Sequence, residues 1–311
     1  MNIKARTVRL VFSGMTWVVL LSLLAAACSA ASPASGGESS ASGEPVLSGT
    51  SANPQRVEFQ AEDGTKLVGY YYPSKYANAP LIILMHWEQG DLCDWRDIAL
   101  WLQNRLDENP AKLERCAQPG ANLPADMNKA WWDPTWFPRM ASDASMAVFV
   151  FDFRGHGESE AGEAGPNLLK DAKAAFKTAA KLKDVDATRM AALGVSMGAD
   201  AAADGCLLYN QENGKGCLGA FSFSPGNYLG MQYSAVVADL APVAVLCSAG
   251  EADSASAQAC ASPRRQYYSH WNYPGNPAHG MALIAPGLDP SPMTLIQVFI
   301  GLAFGDDVQA N

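Results

Sequence analysis

The chain has 311 residues, enough for one or two domains. Because 49% of the residues are hydrophobic and only 17% are charged, the composition supports a large buried core and excludes an intrinsically disordered protein. The net charge of −9 disfavours nucleic-acid binding, which requires a basic surface.

The first 27 residues have the pattern of an export signal. Lys4, Arg6 and Arg9 precede a continuous apolar stretch, and small residues lead up to Cys28. Removing residues 1–27 takes the net charge from −9 to −12, because the segment contains three basic residues and no acidic ones. The residues around Cys28 resemble the bacterial lipoprotein box, in which the cysteine is lipidated. We therefore expect an exported cell-envelope lipoprotein with a membrane anchor at Cys28; plain secretion is the alternative.

Residues 28–54 are rich in Ser, Ala, Gly and Pro, and their only charged residues are Glu38 and Glu44. Such a composition buries too little surface to offset the entropy of ordering it, so we expect a flexible linker here. The folded domain is then predicted to cover residues 55–311.

Six cysteines remain when Cys28 is set aside, an even number that fits up to three disulfides in an oxidising compartment. Pairing of sequence neighbours is the simplest arrangement, although the sequence does not fix which of the fifteen pairings occurs. No Cys-x-x-Cys pattern is present, so we expect neither a metal nor a cofactor. The six are Cys93, Cys116, Cys206, Cys217, Cys247 and Cys260.

The folded domain is predicted to begin with a hairpin. Strands over 56–61 and 66–72 flank an Asp-Gly turn. A buried strand over 81–86 follows and leads into Trp87, and apolar residues at helical spacing predict a helix over 93–106.

An insertion is predicted over 107–145, and it contains Trp131, Trp132 and Trp136 close to prolines. Packing of these rings against the preceding helix is the favoured interpretation. The alternative is that they cover an active site and bind substrate.

The second half of the chain alternates strands and helices. Such alternation predicts a mostly parallel, doubly wound sheet. Strands are predicted over 146–150, 189–195, 217–223 and 243–247, and helices over 166–182 and 293–304.

Ser196 lies in a Gly-x-Ser-x-Gly pattern between an apolar strand and an Ala-rich segment. This pattern at a strand-to-helix turn is typical of a nucleophile elbow, because flanking glycines avoid collision in a very tight turn. Such a turn presents the serine hydroxyl and aims the Met197 backbone N–H at a developing oxyanion. The alternative is an ordinary turn with an N-capping serine.

Asp253 and His279 are the candidate partners of Ser196. A serine hydroxyl is a weak nucleophile until an imidazole takes its proton, and the imidazole needs a carboxylate to fix its tautomer. Asp253 follows a predicted strand, and His279 lies in a Pro- and Gly-rich loop before the last helix. Glu251 and His270 are the reserve candidates for the acid and the base.

The chain over about 55–305 resembles the α/β-hydrolase superfamily, particularly esterases, dienelactone-hydrolase-like enzymes and serine aminopeptidase-like hydrolases. The resemblance rests on the elbow, the Ser–Asp–His order and the Phe-Asp-Phe-Arg-Gly-His-Gly-Glu-Ser loop over 151–159. It implies an α/β-hydrolase fold with an N-terminal antiparallel hairpin and a cysteine-bearing insertion before the fourth core strand. It also implies that Arg154 and Asp152 brace neighbouring loops, and we expect His156 to be structural too. The resemblance further implies that the Trp87 backbone N–H completes the oxyanion hole, at a position where relatives usually have glycine; the N–H of Glu88 is the alternative donor.

We therefore expect a serine hydrolase that cleaves a small-molecule ester or other acyl compound through an acyl-enzyme. Ser196 would be the nucleophile, His279 the general base and Asp253 the group that orients it. A serine peptidase or an acyltransferase would use the same residues. A non-catalytic binding lipoprotein on this scaffold is the alternative from a different class.

Overall fold

The computed structural model describes residues 47–117 and 127–305, all within one compact unit, Glu44–Asn311. The predicted signal peptide, Cys28 and the first part of the predicted linker lie outside the described residues. Within the described ranges, no helix combines the length and the apolar character that crossing a membrane requires.

An eight-stranded sheet forms the centre of the domain, in the order β1-β2-β4-β3-β5-β6-β7-β8. β2 pairs antiparallel with β1 and β4, and the other neighbours are parallel. The predicted hairpin and the predicted mostly parallel sheet are thus confirmed. The strands are β1 (Gln55–Gln60), β2 (Lys66–Tyr72), β3 (Ala79–Met85), β4 (Ala147–Asp152), β5 (Val185–Val195), β6 (Cys217–Phe223), β7 (Ala244–Gly250) and β8 (Tyr268–Tyr273).

Helices cover both faces of the sheet, because the apolar central strands must be buried on both sides. One apolar cluster packs α1 and α6 against one face, and a second packs α2 to α5 against the other. The helices are α1 (Arg96–Gln103), α2 (Leu168–Ala179), α3 (Met197–Asn213), α4 (Tyr233–Asp239), α5 (Ser254–Ala261) and α6 (Pro292–Phe304).

The structure differs from the sequence-based expectation at several elements. The helix predicted over 93–106 is a 3-10 turn, Leu92–Trp95, followed by the shorter α1. α1 ends where Asn104 adopts a left-handed conformation with φ 50°. α5 and β8 were not predicted, and β8 places His270 inside the sheet ladder, opposite Cys247.

Residues 47–54, assigned to the linker from composition, contact the domain. Thr50 Oγ1 donates a hydrogen bond to Asp184 at 2.7 Å, and the buried Ala52 accepts one through its carbonyl oxygen from Gln103 at 2.8 Å. The boundary at residue 55 is therefore too late, because polar side chains of the domain satisfy the backbone of this segment.

The insertion between α1 and β4 is built from short 3-10 turns, Leu106–Glu108, Glu114–Cys116, Ala130–Trp132 and Pro134–Trp136. The neighbouring cysteines pair as Cys93–Cys116, Cys206–Cys217 and Cys247–Cys260. The first disulfide joins the insertion to the turn before α1.

The carboxyl ends of the parallel strands lie along one edge of the sheet. Trp87 follows β3, Ser196 follows β5, and Asp253 follows β7. Parallel α/β sheets bind their ligands at this edge, so the fold collects the candidate residues where a site is expected.

Candidate active site

Ser196 lies in a strained turn between β5 and α3. Its backbone has φ 54° and ψ −121°, a conformation that side-chain-bearing residues rarely adopt. A Cβ atom at position 194 would lie 1.9 Å from the Gly198 carbonyl oxygen, and one at position 198 would lie 2.3 Å from that of Met85. The two glycines therefore allow the turn, and the turn places the Ser196 hydroxyl above the sheet edge.

Ser196, His279 and Asp253 form a continuous hydrogen-bonded chain. The Ser196 Oγ lies 2.8 Å from His279 Nε2, and His279 Nδ1 lies 2.7 Å from Asp253 Oδ2. Both distances suit proton transfer from a hydroxyl to an imidazole oriented by a carboxylate.

The two reserve candidates lie elsewhere. Glu251 accepts a hydrogen bond from the backbone N–H of Gly275 at 2.9 Å, which braces the loop leading to His279. His270 is exposed on β8 and stacks on Tyr268. The loop that carries His279 is fixed at its other side, where the Gly280 N–H donates to Ser224 Oγ at 3.1 Å.

The backbone N–H groups of Met197 and Trp87 are the expected oxyanion donors. Met197 is the first residue of α3, so its N–H has no carbonyl partner within the helix. Neither N–H donates a hydrogen bond to another residue within 47–117 or 127–305. Both groups are therefore unpaired at the sheet edge that carries Ser196.

The Trp87 side chain packs between the loop after β3 and the His279 loop. The ring is 3% exposed, and its Nε1 donates to Asp94 Oδ2 at 2.8 Å. A Cβ atom at position 280 would lie 2.6 Å from the ring. Burial raises the pKa of the Asp94 carboxyl to about 7, and the hydrogen bond from Trp87 opposes this shift.

His86 and His156 have structural hydrogen bonds. His86 is fully buried, its Nδ1 lies 2.7 Å from the Trp87 carbonyl oxygen, and its Nε2 accepts from the Phe153 N–H at 3.0 Å. Burial lowers the pKa of His86 to about 3, which keeps the ring neutral. His156 Nε2 lies 3.0 Å from the Glu88 carbonyl oxygen, so both imidazoles brace the loop that follows β3.

Arg154 and Asp152, in the loop after β4, also brace their surroundings. Arg154 pairs with the buried Asp171 and with Asp63. Asp152 accepts from the backbone N–H groups of Leu92 and Glu158, each at 2.9 Å.

The three tryptophans of the insertion contact protein groups. Trp131 is fully buried and meets Trp87 edge-on, with ring centroids 6.2 Å apart. Trp132 lies under the Arg96 guanidinium at 3.9 Å, and Trp136 Nε1 donates to the Ala130 carbonyl oxygen at 2.8 Å. These contacts favour packing for all three rings, and Trp131 has no exposed surface to offer a substrate.

Tyr228 and Asp200 are site residues that the sequence analysis missed. The Tyr228 ring lies edge-on to His279, with centroids 6.4 Å apart, and it is 41% exposed. The buried Asp200 accepts from the backbone N–H groups of Gly226 at 2.9 Å and Tyr228 at 2.6 Å. The sequence feature that could have pointed to Asp200 is its position in an Ala-rich helix, one turn after the elbow.

Among residues 47–117 and 127–305, no group of three or more His, Cys, Asp or Glu side chains is arranged to hold a metal ion.

Comparison with known sequences gives distant relatives. No protein-family model matches the chain. The uncharacterized protein YfhR of Salmonella typhi is 25% identical over 157 residues, which cover 49% of this chain and 40% of the relative. YfhR of Escherichia coli K12 is 26% identical over 148 residues, covering 46% and 38%. The chain thus spans about two fifths of the length of the curated relatives it matches.

Comparison with solved structures gives longer matches. The α/β hydrolase GrgF from Penicillium sp. sh18 has a TM-score of 0.55 at 12% identity and covers 80% of this chain and 98% of its own. The hypothetical protein PA2218 from Pseudomonas aeruginosa has a TM-score of 0.55 at 12% identity, covering 83% and 95%. The carboxylesterase EstE1 from a metagenomic library has a TM-score of 0.50 at 16% identity, covering 84% and 90%. This chain therefore has the α/β-hydrolase fold.

Proposed function

We propose that this protein is a serine hydrolase that cleaves carboxylic esters through an acyl-enzyme. The observation that carries the proposal is the hydrogen-bonded chain Ser196–His279–Asp253, with distances of 2.8 and 2.7 Å. The strained backbone of Ser196 adds support, because such strain concentrates at functional sites.

The reaction starts when His279 Nε2 takes the Ser196 proton and Oγ attacks the ester carbonyl carbon. Asp253 holds the imidazole through Nδ1 and stabilises its positive charge without taking the proton. The protonated His279 then gives its proton to the leaving alkoxide, and the acyl group remains on Ser196. A water molecule then gives a proton to His279 and attacks the acyl carbon. When this second tetrahedral intermediate collapses, the bond to Ser196 Oγ breaks, His279 returns the proton to Oγ, and the acid is released.

The negative oxygen of each tetrahedral intermediate is assigned to the backbone N–H groups of Met197 and Trp87. Two preorganised donors stabilise charge that develops only in the transition state. Hydrogen bonds to His86 and Asp94 fix the Trp87 backbone and ring. They therefore hold the Trp87 backbone N–H in place.

Small esters are the proposed substrates, in keeping with the carboxylesterase among the proteins of similar fold. Peptide hydrolysis and acyl transfer use the same three residues, but no contact in the site favours an amine leaving group or a second acceptor.

The test is covalent labelling with a fluorophosphonate probe, followed by hydrolysis of an ester panel. Ser196→Ala should abolish labelling and lower turnover by at least about 10⁴-fold. His279→Ala should lower turnover nearly as much. Asp253→Asn should lower it by about 10³- to 10⁴-fold, because the imidazole adopts the wrong tautomer.

His270→Ala is the matched control, since this histidine is exposed on β8 and outside the chain of hydrogen bonds. It should retain labelling and turnover. Circular dichroism establishes that each variant is folded. A folded Ser196→Ala protein that hydrolyses the esters at the wild-type rate would refute the proposal.

We also propose that the chain is exported and anchored through a lipid on Cys28. The basic start, the apolar stretch and the small residues before Cys28 support export. Three disulfides among the described residues fit an oxidising compartment.

A further inference from the structure

The loop that carries Tyr228 is hydrogen-bonded to α3, the helix that begins directly after Ser196. Asp200 lies one turn after Ser196 on α3 and binds the loop after β6 with both carboxylate oxygens. Because Ser196 and Asp200 share one rigid helix, the backbone of Tyr228 has a fixed position relative to the Ser196 hydroxyl.

The rest of the loop is also tied down. Asn227 Oδ1 accepts a hydrogen bond from the backbone N–H of Tyr233 at 3.1 Å, at the start of α4. The Tyr228 ring lies over Gly226, where a Cβ atom would come within 2.7 Å of it. An aromatic residue with 41% of its surface exposed is thus fixed by its backbone and its neighbours.

The Tyr228 side chain faces the catalytic residues. Its ring edge meets His279 at a centroid distance of 6.4 Å. Burial raises the pKa of the Tyr228 phenol, which keeps it protonated. The Tyr228 ring therefore lies beside the imidazole whose Nε2 is hydrogen-bonded to Ser196.

The leaving group of an ester substrate would also lie beside the His279 imidazole. In the tetrahedral intermediate, the oxyanion points at the Met197 and Trp87 N–H groups, and the departing oxygen must approach His279 Nε2 to receive a proton. A phenol beside His279 can donate its O–H to that oxygen. By microscopic reversibility, the water that attacks the acyl-enzyme occupies the place that the departing oxygen has left.

We propose that Tyr228 contacts the leaving-group oxygen of the substrate and donates a hydrogen bond to it, with Asp200 as its positioning residue. This inference rests on the proposed ester hydrolysis and names a further catalytic residue for it. The phenol keeps its proton, and His279 remains the general acid.

The test compares wild type and Tyr228→Phe on three acetates with leaving groups of increasing basicity: 4-nitrophenyl, phenyl and ethyl acetate. A hydrogen bond to an acceptor that gains negative charge is stronger than one to a neutral acceptor. We expect kcat/KM of Tyr228→Phe to fall by roughly tenfold for ethyl acetate and by much less for 4-nitrophenyl acetate. The loss should lie in kcat more than in KM, because the hydrogen bond strengthens in the transition state.

Tyr267→Phe is the matched control, because Tyr267 is 57% exposed and immediately precedes β8, away from the strand ends that carry the site. It should match wild type on all three esters. Asp200→Asn should show the same leaving-group dependence as Tyr228→Phe, and the two changes together should cost less than the sum of their separate effects.

An equal loss on all three acetates, or no loss on any, would overturn the role of Tyr228. Fluorophosphonate labelling separates this outcome from failure of the proposed function. Tyr228→Phe keeps Ser196, His279 and Asp253 and so should still be labelled, whereas a wild-type protein that is neither labelled nor active would refute the hydrolase itself.

Discussion

Asp204 is a carboxyl group buried on α3 at a cost to folding. It is 1% exposed, and within the described part of the chain neither of its oxygens has a hydrogen-bond partner. Burial, with a smaller contribution from the neighbouring Asp200, raises the pKa of Asp204 from 3.8 to about 8. The folded state therefore binds this proton more tightly than the unfolded state does. The stability contributed by the group is greatest below pH 3.8 and is lost as the pH rises to about 8.

Asp204→Asn should remove this pH dependence. The free energy of unfolding of the variant minus that of wild type should grow between about pH 4 and pH 8, by at most about 1.4 kcal/mol per pH unit, and level off above. Urea unfolding at a series of pH values measures the difference. Asp107→Asn, at an exposed position, is the control and should show no such trend. A difference that stays constant over the range contradicts the assigned burial effect.

At the residue scale, the sequence predicted the groups whose chemistry has a local pattern. Ser196 is marked by its glycines, and Asp253 and His279 by their order after predicted strands. Tyr228 could not be predicted in the same way. Its place beside Ser196 depends on two backbone hydrogen bonds to Asp200, a contact made between the loop after β6 and the nucleophile helix.

The insertion between α1 and β4 is the element whose loss should affect both stability and activity. The Cys93–Cys116 disulfide holds Arg115 where it donates to Asp91 at 2.9 Å and to the fully buried Asp152 at 2.8 Å. Asp91 in turn caps the 3-10 turn before α1, next to the loop that carries the Trp87 N–H. The disulfide therefore supports the loop after β3 from the side of the insertion.

Replacing Cys93 and Cys116 together by Ser should lower the unfolding free energy by roughly 3 kcal/mol. It should also lower kcat, because the Asp152 carboxylate loses its cation and the loop after β3 loosens. The matched control replaces Cys206 and Cys217, whose sequence separation is 11 against 23 for the first pair. This second variant should lose about as much stability and keep its kcat at temperatures where it is folded. Equal kcat in both variants would show that the insertion does not support the site.

At the element scale, sequence prediction succeeded where apolar runs end at turn residues. The bounds of β2 and β6 agree with those predicted. β8 was missed because polar residues interrupt its apolar pattern, and it forms by pairing with β7. α5 was missed because its Ser- and Ala-rich sequence has no helical periodicity; it packs on β7 through Ala257 and Cys260.

At the scale of the whole molecule, the proposed lipid on Cys28 predicts where the domain is located. Cell fractionation should find the wild-type protein with the membranes and Cys28→Ala in the soluble fraction, because a lipidated cysteine is the proposed attachment. Ser29→Ala is the control and should remain with the membranes. A Cys28→Ala protein that stays membrane-bound would refute the lipid anchor.

The Trp87 ring also ties together two stretches that lie far apart in the sequence. One indole borders the loop after β3 and packs under Gly280, next to His279. A side chain at position 280 would overlap the ring, and its backbone would also be strained, because Gly280 has φ 59°. Replacing the ring at position 87 would remove the overlap but not the backbone strain. The glycine at position 280 is therefore required by its own conformation as well as by its neighbour.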